Sequence, residues 1–447
     1  MTGLDAWLYG VHVAVVRPAG AGRAVVEYTE QARQRWGVGS SVVAVQMPLS
    51  AKPPASVVAT MWLRGLLPEG RARTRLAERV GADPEDVLAF LAHYGRDTAG
   101  ALVLVPQGDD PDQPDRPLVD LTDGQIARLL GQAEQAGAAD QFSSLAGLET
   151  KIVLTRTATG WSMPTPRAPS THIVKLSRPA GSRTADLIDT EVAALALARY
   201  AGVGDVEAHL QTFDGARTIV VRRYDRIPES GTVRRLHQED TAQMLGLNTD
   251  DPIRKFQYGA RLPSLAAIAV RLTSIGVPLE RLLALTTFNV AIGNVDAHAK
   301  NISVLHLPDG RHRLAPAYDV AMHLHQGTGE ERFAMDVSGV RNLNTLGAAQ
   351  LIAEAVSWKV SRRRALAVVA DTVERLGEGL RSIDRGAHPG VSDDAWRVVD
   401  ARVATLRDEL HDDVSSSRPT RGRPTRPDQP REPAGRPAGG RFAPRPD

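Results

Sequence analysis

An Asp followed five positions later by an Asn, with another Asp returned after an intervening segment, is the layout a phosphoryl-transfer site needs. Residues 293–301, GNVDAHAKN, together with Asp319 in LAPAYDV, supply that layout. Asp296 can accept the proton of an attacking hydroxyl, while Asn301 and Asp319 offer oxygens to Mg²⁺. Asp296, His298, Lys300 and Asn301 crowd polar functions beside an apolar stretch, which is costly unless those groups are satisfied or used. A second chemistry also fits. In a metal hydrolase His298, His306, His312, His323 and His325 would supply ligands, although HExxH and comparable fixed spacings are missing and Mg²⁺ needs only oxygens.

The elements that must position these groups can be read from periodicity. Residues 279–290 have helical spacing and deliver the 293–301 stretch, and a turn at 308–310, PDG, makes a hairpin that returns Asp319. Upstream, THIVKL (171–176) is a strand with Lys175 inside it, although Lys is depleted in strands. Glu191 lies sixteen positions on, beside the apolar stripe of a helix over 186–200, and could meet Lys175 across a strand–helix contact. Before them, QFSSLAGLETKIVL places small residues between two apolar runs. It reads as a tight turn whose backbone amides could face phosphates, without matching GxxxxGK[ST]. Strands over 207–213 and 217–223 follow, the second ending in the polar VVRRYDR as a connection between two lobes would.

The amino-terminal part reads as a hairpin over 6–28 around the turn PAGAGR, a strand over 41–47, helices over 55–67, 70–80 and 83–92, and a closing strand in AGALVLVP. A solvated Pro/Asp segment, GDDPDQPDRP, then marks either a boundary or a surface loop inside one larger domain. Later helices fall at 240–247, 262–276, 279–290, 345–359, 364–376 and 393–410. Strands early and helices late predict an α+β fold of two lobes behind a β-rich amino-terminal subdomain. The expected units are 1–108, 109–224, 225–412 and a tail, 413–447.

The 447 residues are enough for several cores. The net charge of +2 is uneven: from residue 415 onward eight Arg stand against three acidic residues, so the tail carries +5 and the remainder −3. The tail is rich in Arg and Pro, poor in apolar side chains, and is expected to be disordered. With no cysteine, disulfides and thiolate sites are excluded, which fits a cytoplasmic protein. The first residues lack a secretory signal pattern, and the apolar run 282–292 is too short to span a bilayer.

Taken together, LYGVHVAVV with LLPEG, GRDTAGAL, SLAGLETK, HIVK, VVRRYDR, HQED, GNVDAHAKN and PAYDV occur in an order that resembles the HipA family, the serine/threonine kinase toxins of HipA/HipB-type toxin–antitoxin modules. The resemblance extends to about residue 411. It implies a bilobal ATP- and Mg²⁺-dependent protein kinase, a HipB-like helix-turn-helix antitoxin that mediates DNA contact, and a protein substrate such as an aminoacyl-tRNA synthetase. It implies Asp296 as the base, Asn301 and Asp319 as Mg²⁺ ligands, and Lys175 on the ATP phosphates. Gln238 and His298 would line the nucleotide site, residues 222–224 (Arg222, Arg223, Tyr224) would contact adenine, and Ser144 would be the autophosphorylated serine of the nucleotide loop. NVD and YDV stand where eukaryotic-like kinases carry HRD and DFG, so the regulatory logic of that class does not transfer. The alternatives are a small-molecule phosphotransferase of the aminoglycoside-kinase type, with the same Asp-x₄-Asn logic, and a catalytically silent co-repressor scaffold.

Overall fold

Tyr9 and Gly10 both adopt positive φ, 53° and 77°, and this pair turns the chain back inside a run that alternation alone reads as one strand. The computed structural model, which describes residues 3–20, 22–113, 117–136, 151–229, 232–327 and 331–416, therefore has three antiparallel strands where one hairpin was expected. They are Leu4–Leu8, Val11–Pro18 and Ala24–Tyr28, and Val103–Pro106 joins the free edge of the first. Helices Glu30–Trp36, Ser56–Arg64, Gly70–Arg79 and Val87–Tyr94 accompany this sheet over a core that includes Phe90, Trp62 and Leu63. The last helix starts at Asp86, whose side chain accepts from Leu88 N and Ala89 N, and not at Asp83.

Residues 41–47 are not a strand, contrary to their β-like composition. They are an irregular, buried segment whose main chain is partnered largely by side chains. Tyr28 Oη donates to Met47 O at 2.6 Å, His237 Nε2 meets Val43 O at 2.8 Å, and Val45 N donates to Glu239 Oε2 at 2.9 Å. The apolar residues fill a core, but their backbone bonds go to a distant part of the chain.

A six-stranded antiparallel sheet forms the middle of the molecule, in the order Asp120–Leu121, Trp161–Ser162, Lys151–Arg156, His172–Leu176, Ala216–Arg222, Ala208–Phe213. Its two faces enter different cores, as period-two alternation requires. Val174 and Val220 pack with Ile126 and Leu130 of helix Asp123–Ala136. Ile219 and Val221 pack with Leu195 of helix Leu187–Ala201. Lys175 pairs with Ile219 and so shares its face, the one that meets the second helix. That register explains how a lysine can sit inside this strand.

Beyond the sheet, helices Leu265–Ser274, Leu279–Ala291, Ala348–Ser357, Arg362–Ser382 and Asp393–Ser416 enclose the largest core. Short strands that periodicity did not resolve are set among them. His237–Asp240, Ser303–His306 and His312–Leu314 make an antiparallel sheet, while Arg226–Glu229 with Thr232–Arg235 and Arg332–Val337 with Val340–Asn342 form ribbons. At three to six residues they are too short to show a period.

Two of the buried polar contacts that tie the amino-terminal part to the rest lie near residues 225 and 239. In the first, Asp97 pairs with Arg226 at 2.9 Å, and Asp225 pairs with Arg223 at 2.8 Å and Arg226 at 2.9 Å. Burial alone would raise the Asp225 carboxyl, but the two guanidinium groups outweigh it and hold it below the usual carboxylate range. Gly100 completes the joint: its N–H donates to Asp225 Oδ2 at 2.7 Å, and at φ 87° any Cβ would lie 2.6 Å from Gln238 N. In the second, Glu239 is fully enclosed, accepting from Val45 N and, at 2.8 Å, from Trp62 Nε1.

Burial pushes the Glu239 carboxyl up to about 8, so it is neutral in the folded protein near neutral pH. Its stabilising contribution is complete below the ordinary glutamate range and is lost as pH rises through about 8. Glu239→Gln, neutral at every pH, is expected to lack that loss. Thermal melting at a series of pH values checks this: the wild type should lose ground relative to the variant between about pH 5 and pH 8.5, and parallel curves would contradict it.

Candidate active site

Helix Leu279–Ala291 ends at a turn built by Gly293, φ 71°, where a Cβ would lie 2.8 Å from the Leu324 side chain. The loop that follows is fixed by its own polar groups. Asn294 donates to Asn289 Oδ1 at 2.8 Å and accepts from Asp296 N at 3.0 Å. His298 N donates to Asp296 O at 2.8 Å, and Asn301 Nδ2 donates to the same carbonyl at 2.9 Å. With its nitrogen so used, the Asn301 amide presents its oxygen as the group suited to a cation. The Asp296 side chain remains 48% exposed and lines a cavity of about 400 Å³. Main-chain and side-chain bonds thus hold the crowded polar stretch, and the Asp296 carboxylate lines the cavity.

Asp319 enters the same cavity from the far side of the hairpin, in a left-handed conformation at φ 54° that a non-glycine residue rarely adopts. Its carboxylate contacts Lys175 Nζ, and Lys175 also bonds both oxygens of Glu191, at 2.9 and 3.0 Å. Burial alone would raise the Asp319 carboxyl, but the adjacent Lys175 ammonium holds it well below the ordinary range, so it is ionised. One ammonium therefore joins a sheet strand, a helix and the segment after the hairpin.

Tyr318 Oη donates to Lys300 O at 2.6 Å, and its ring lies 5.2 Å from that of Tyr224, centroid to centroid. Tyr224 Oη in turn donates to Gln238 Oε1. Both of these residues line the cavity, as do Arg222, Arg223 and His298. The two arginines do so without offering their charges. The Arg223 guanidinium is buried on Asp225, Ser170 Oγ and Thr98 O, and that of Arg222 pairs with Glu207 at 2.9 Å. His298 stands 3.8 Å from the Asp296 carboxylate; burial, reinforced by Lys255, lowers its pKa to about 3 and keeps it neutral. Ser144 lies outside the described residues.

The other histidines are dispersed. His306 and His312 meet Nδ1 to Nδ1 at 2.9 Å in the hairpin, His325 pairs with Asp186 at 2.6 Å, and His323 borders the cavity. Among the described residues, no group of three His, Cys, Asp or Glu side chains is placed to hold a metal ion. Mg²⁺ asks for less: one or two carboxylates together with substrate phosphates and water. Asp319 and the Asn301 amide oxygen fit that donor set.

Residues that periodicity did not single out also form this wall. Glu69, from the amino-terminal part, lies beside Lys255 and Lys300, and Asp240 pairs with Lys300 at 2.9 Å. No local pattern links Glu69 to a loop more than two hundred positions away. Lys300 was visible only as one polar residue among several.

A strand lysine held by a helix glutamate, facing a loop with Asp and Asn and a later Asp, is the arrangement of the protein-kinase class of phosphotransfer sites. Residues 143–380 match the HipA-like C-terminal domain and residues 4–105 the HipA N-terminal domain, and the chain belongs to the HipA family. It is 30% identical over 288 residues to the Sinorhizobium fredii protein Y4mE, named as a kinase, covering 62% of this chain and 67% of that one. It is 24% identical over 398 residues to the serine/threonine-protein kinase toxin HipA of Shewanella oneidensis, covering 85% and 89%. Its fold matches that of Shewanella oneidensis HipA solved with HipB and operator DNA, with a TM-score of 0.72 at 22% identity over 92% of this chain and 97% of that one.

The charge balance of the lysine bridge sets its effect on stability. Glu191 is almost fully buried, so Lys175→Met strands a carboxylate without its counterion and is expected to cost about 3–5 kcal/mol. Adding Glu191→Leu should recover most of that loss. Urea unfolding of the single and double variants is the check, and a single variant as stable as the wild type would contradict the pairing.

Proposed function

We propose that this chain is an ATP- and Mg²⁺-dependent serine/threonine protein kinase, acting as the toxin of a type II toxin–antitoxin pair. The observation that carries the reading is Lys175, held between Glu191 and Asp319 in the cavity that Asp296 also lines. Lys175 is suited to grip the nucleotide phosphates, with Glu191 fixing its direction. Residues 222–224, with Gln238 bonded to Tyr224, form the side of the cavity suited to the adenine ring, chiefly through backbone and aromatic surface. Asn301 and Asp319 would hold Mg²⁺, which supplies charge neutralisation at the phosphates when bound.

In the reaction, the bond from the γ-phosphorus to the ADP oxygen breaks as one forms to the serine or threonine oxygen. Asp296 positions that hydroxyl and takes its proton. His298, being neutral, adds no cation that would hold the Asp296 carboxylate away from the incoming hydroxyl. Most of the rate enhancement comes from placement and charge, since this chemistry asks for little covalent participation by the protein.

The likeness to HipA solved with HipB and operator DNA supports a HipB-like antitoxin as partner and route to DNA; we infer further that this antitoxin is a helix-turn-helix protein, that the substrate is a cellular protein and that the site of action is cytoplasmic. Among the described residues no helix is long and apolar enough to cross a membrane. We assign residues 1–108 to the amino-terminal subdomain, 109–224 to the nucleotide lobe and 225–412 to the catalytic lobe, with Ser144 as the site of autophosphorylation.

Asp296→Asn removes the base while keeping the side-chain shape. It is expected to lower autophosphorylation with radiolabelled ATP by at least about a hundredfold while leaving the thermal midpoint unchanged. Equal incorporation by variant and wild type would refute the assignment.

A further inference from the structure

The amino-terminal part contributes a buried carboxylate to the wall of the cavity. Glu69 is 3% exposed, its Oε2 3.4 Å from Lys255 Nζ and its Oε1 3.6 Å from Lys300 Nζ. The second distance is an ion contact only, and Glu69 Oε1 has no hydrogen-bond partner among the described residues. Lys300 has a closer carboxylate in Asp240 at 2.9 Å, and it also reaches Gly65 O at 3.4 Å. Burial would lower the Lys300 ammonium, but Asp240 and Glu69 outweigh it and hold it charged. Two ammonium and two carboxylate groups are thus enclosed where the amino-terminal part meets the catalytic loop. Buried sets of this kind are expensive to desolvate and are weak devices for stability alone.

Lys255 is the member of this quartet that stands apart. Lys300 is bound closely to Asp240, whereas Glu69 at 3.4 Å is the nearest carboxylate to Lys255. Lys255 lines the cavity beside Asp296 and His298, and the neighbouring Phe256 ring packs edge-on against His298 at 5.1 Å. The short turn that carries it, Pro252–Lys255, follows Asp250, which is clamped by Arg64 at 2.5 Å and by Arg73. Lys255 is therefore anchored to the amino-terminal part twice, through Glu69 and through Asp250. An ammonium in the wall of a site with two carboxylates and an amide oxygen is suited to an anion that arrives with the nucleotide.

We propose that Lys255 is a catalytic residue that contacts the transferring γ-phosphoryl group, and that Glu69 is the positioning residue that aims it. The amino-terminal part is then one wall of the phosphoryl site. Lys175 approaches the nucleotide from the sheet and Lys255 from the wall tied to the amino-terminal part, so two ammonium groups meet the charge that builds on the phosphoryl oxygens. Lys255 makes no covalent bond and exchanges no proton; Asp296 still takes the proton of the attacking hydroxyl. The inference rests on the phosphotransfer reading above.

The test is titration calorimetry of the full chain with Mg²⁺ and either ADP or the non-hydrolysable β,γ-imido analogue of ATP. A γ-phosphate contact should make the wild type prefer the triphosphate. Lys255→Met is expected to weaken triphosphate binding by roughly tenfold with ADP binding unchanged, and Lys255→Arg to retain the preference. Glu69→Gln is expected to reduce the same preference with a smaller effect on ADP, and it carries the test should Lys255→Met lower the melting temperature. A purely structural role would move both nucleotides together. Equal losses for ADP and the analogue, or unchanged discrimination in folded Lys255→Met and Glu69→Gln, would overturn the inference and leave the kinase reading standing. A wild-type chain that binds neither nucleotide would overturn both.

Discussion

The arrangement of the cavity depends on one ammonium group. Lys175 lies in a sheet strand, Glu191 in the helix that covers that face of the sheet, and Asp319 in the segment returned by the hairpin. Removing the lysine would leave a buried carboxylate on one side and take the counterion from a left-handed aspartate on the other. Because the three groups belong to three elements, their contact fixes how the sheet sits against the helical part. The same contact keeps Asp319 ionised, the state in which it can accept a cation.

A second constraint comes from the amino-terminal part. Asp97 and Gly100 are joined to Asp225 and Arg226 just beyond residues 222–224, and Glu239 binds Val45 and Trp62 two positions after His237 meets Val43. These contacts hold residues 223–226 and the strand His237–Asp240 against the amino-terminal part. Glu69 then extends the same surface into the cavity. An amino-terminal part bound in this way contributes to the wall of the cavity and is more than an appended module.

Much of this was legible in the sequence where chemistry and period coincide. Lys175 is conspicuous because a strand interior rarely carries lysine, and its partner Glu191 lies beside a helical stripe; register then brings the two together. Asp296, Asn301 and Asp319 lie on a loop–hairpin–loop route short enough to follow by eye. Legibility failed where tertiary context decides. The Tyr9–Gly10 turn requires a tyrosine at positive φ, which no local signal marks, and residues 41–47 have strand composition but bond to side chains from a distant strand. Residues 222–224 read as the connection between lobes, but the sequence does not show that the guanidinium groups of Arg222 and Arg223 are paired with Glu207 and Asp225. Glu69 was invisible because its partners are remote in the chain.

In the proposed reaction Asp319, beside Lys175, and Asn301 present oxygens to a divalent cation carried by a nucleotide. Electron paramagnetic resonance of Mn²⁺, used in place of Mg²⁺, tests it most directly when recorded with ATP on the wild type and on Asp319→Ala. A protein-bound Mn²⁺ signal is expected in the wild type, requiring ATP and lost in the variant. A signal of equal strength in both proteins, or one indifferent to ATP, would contradict it.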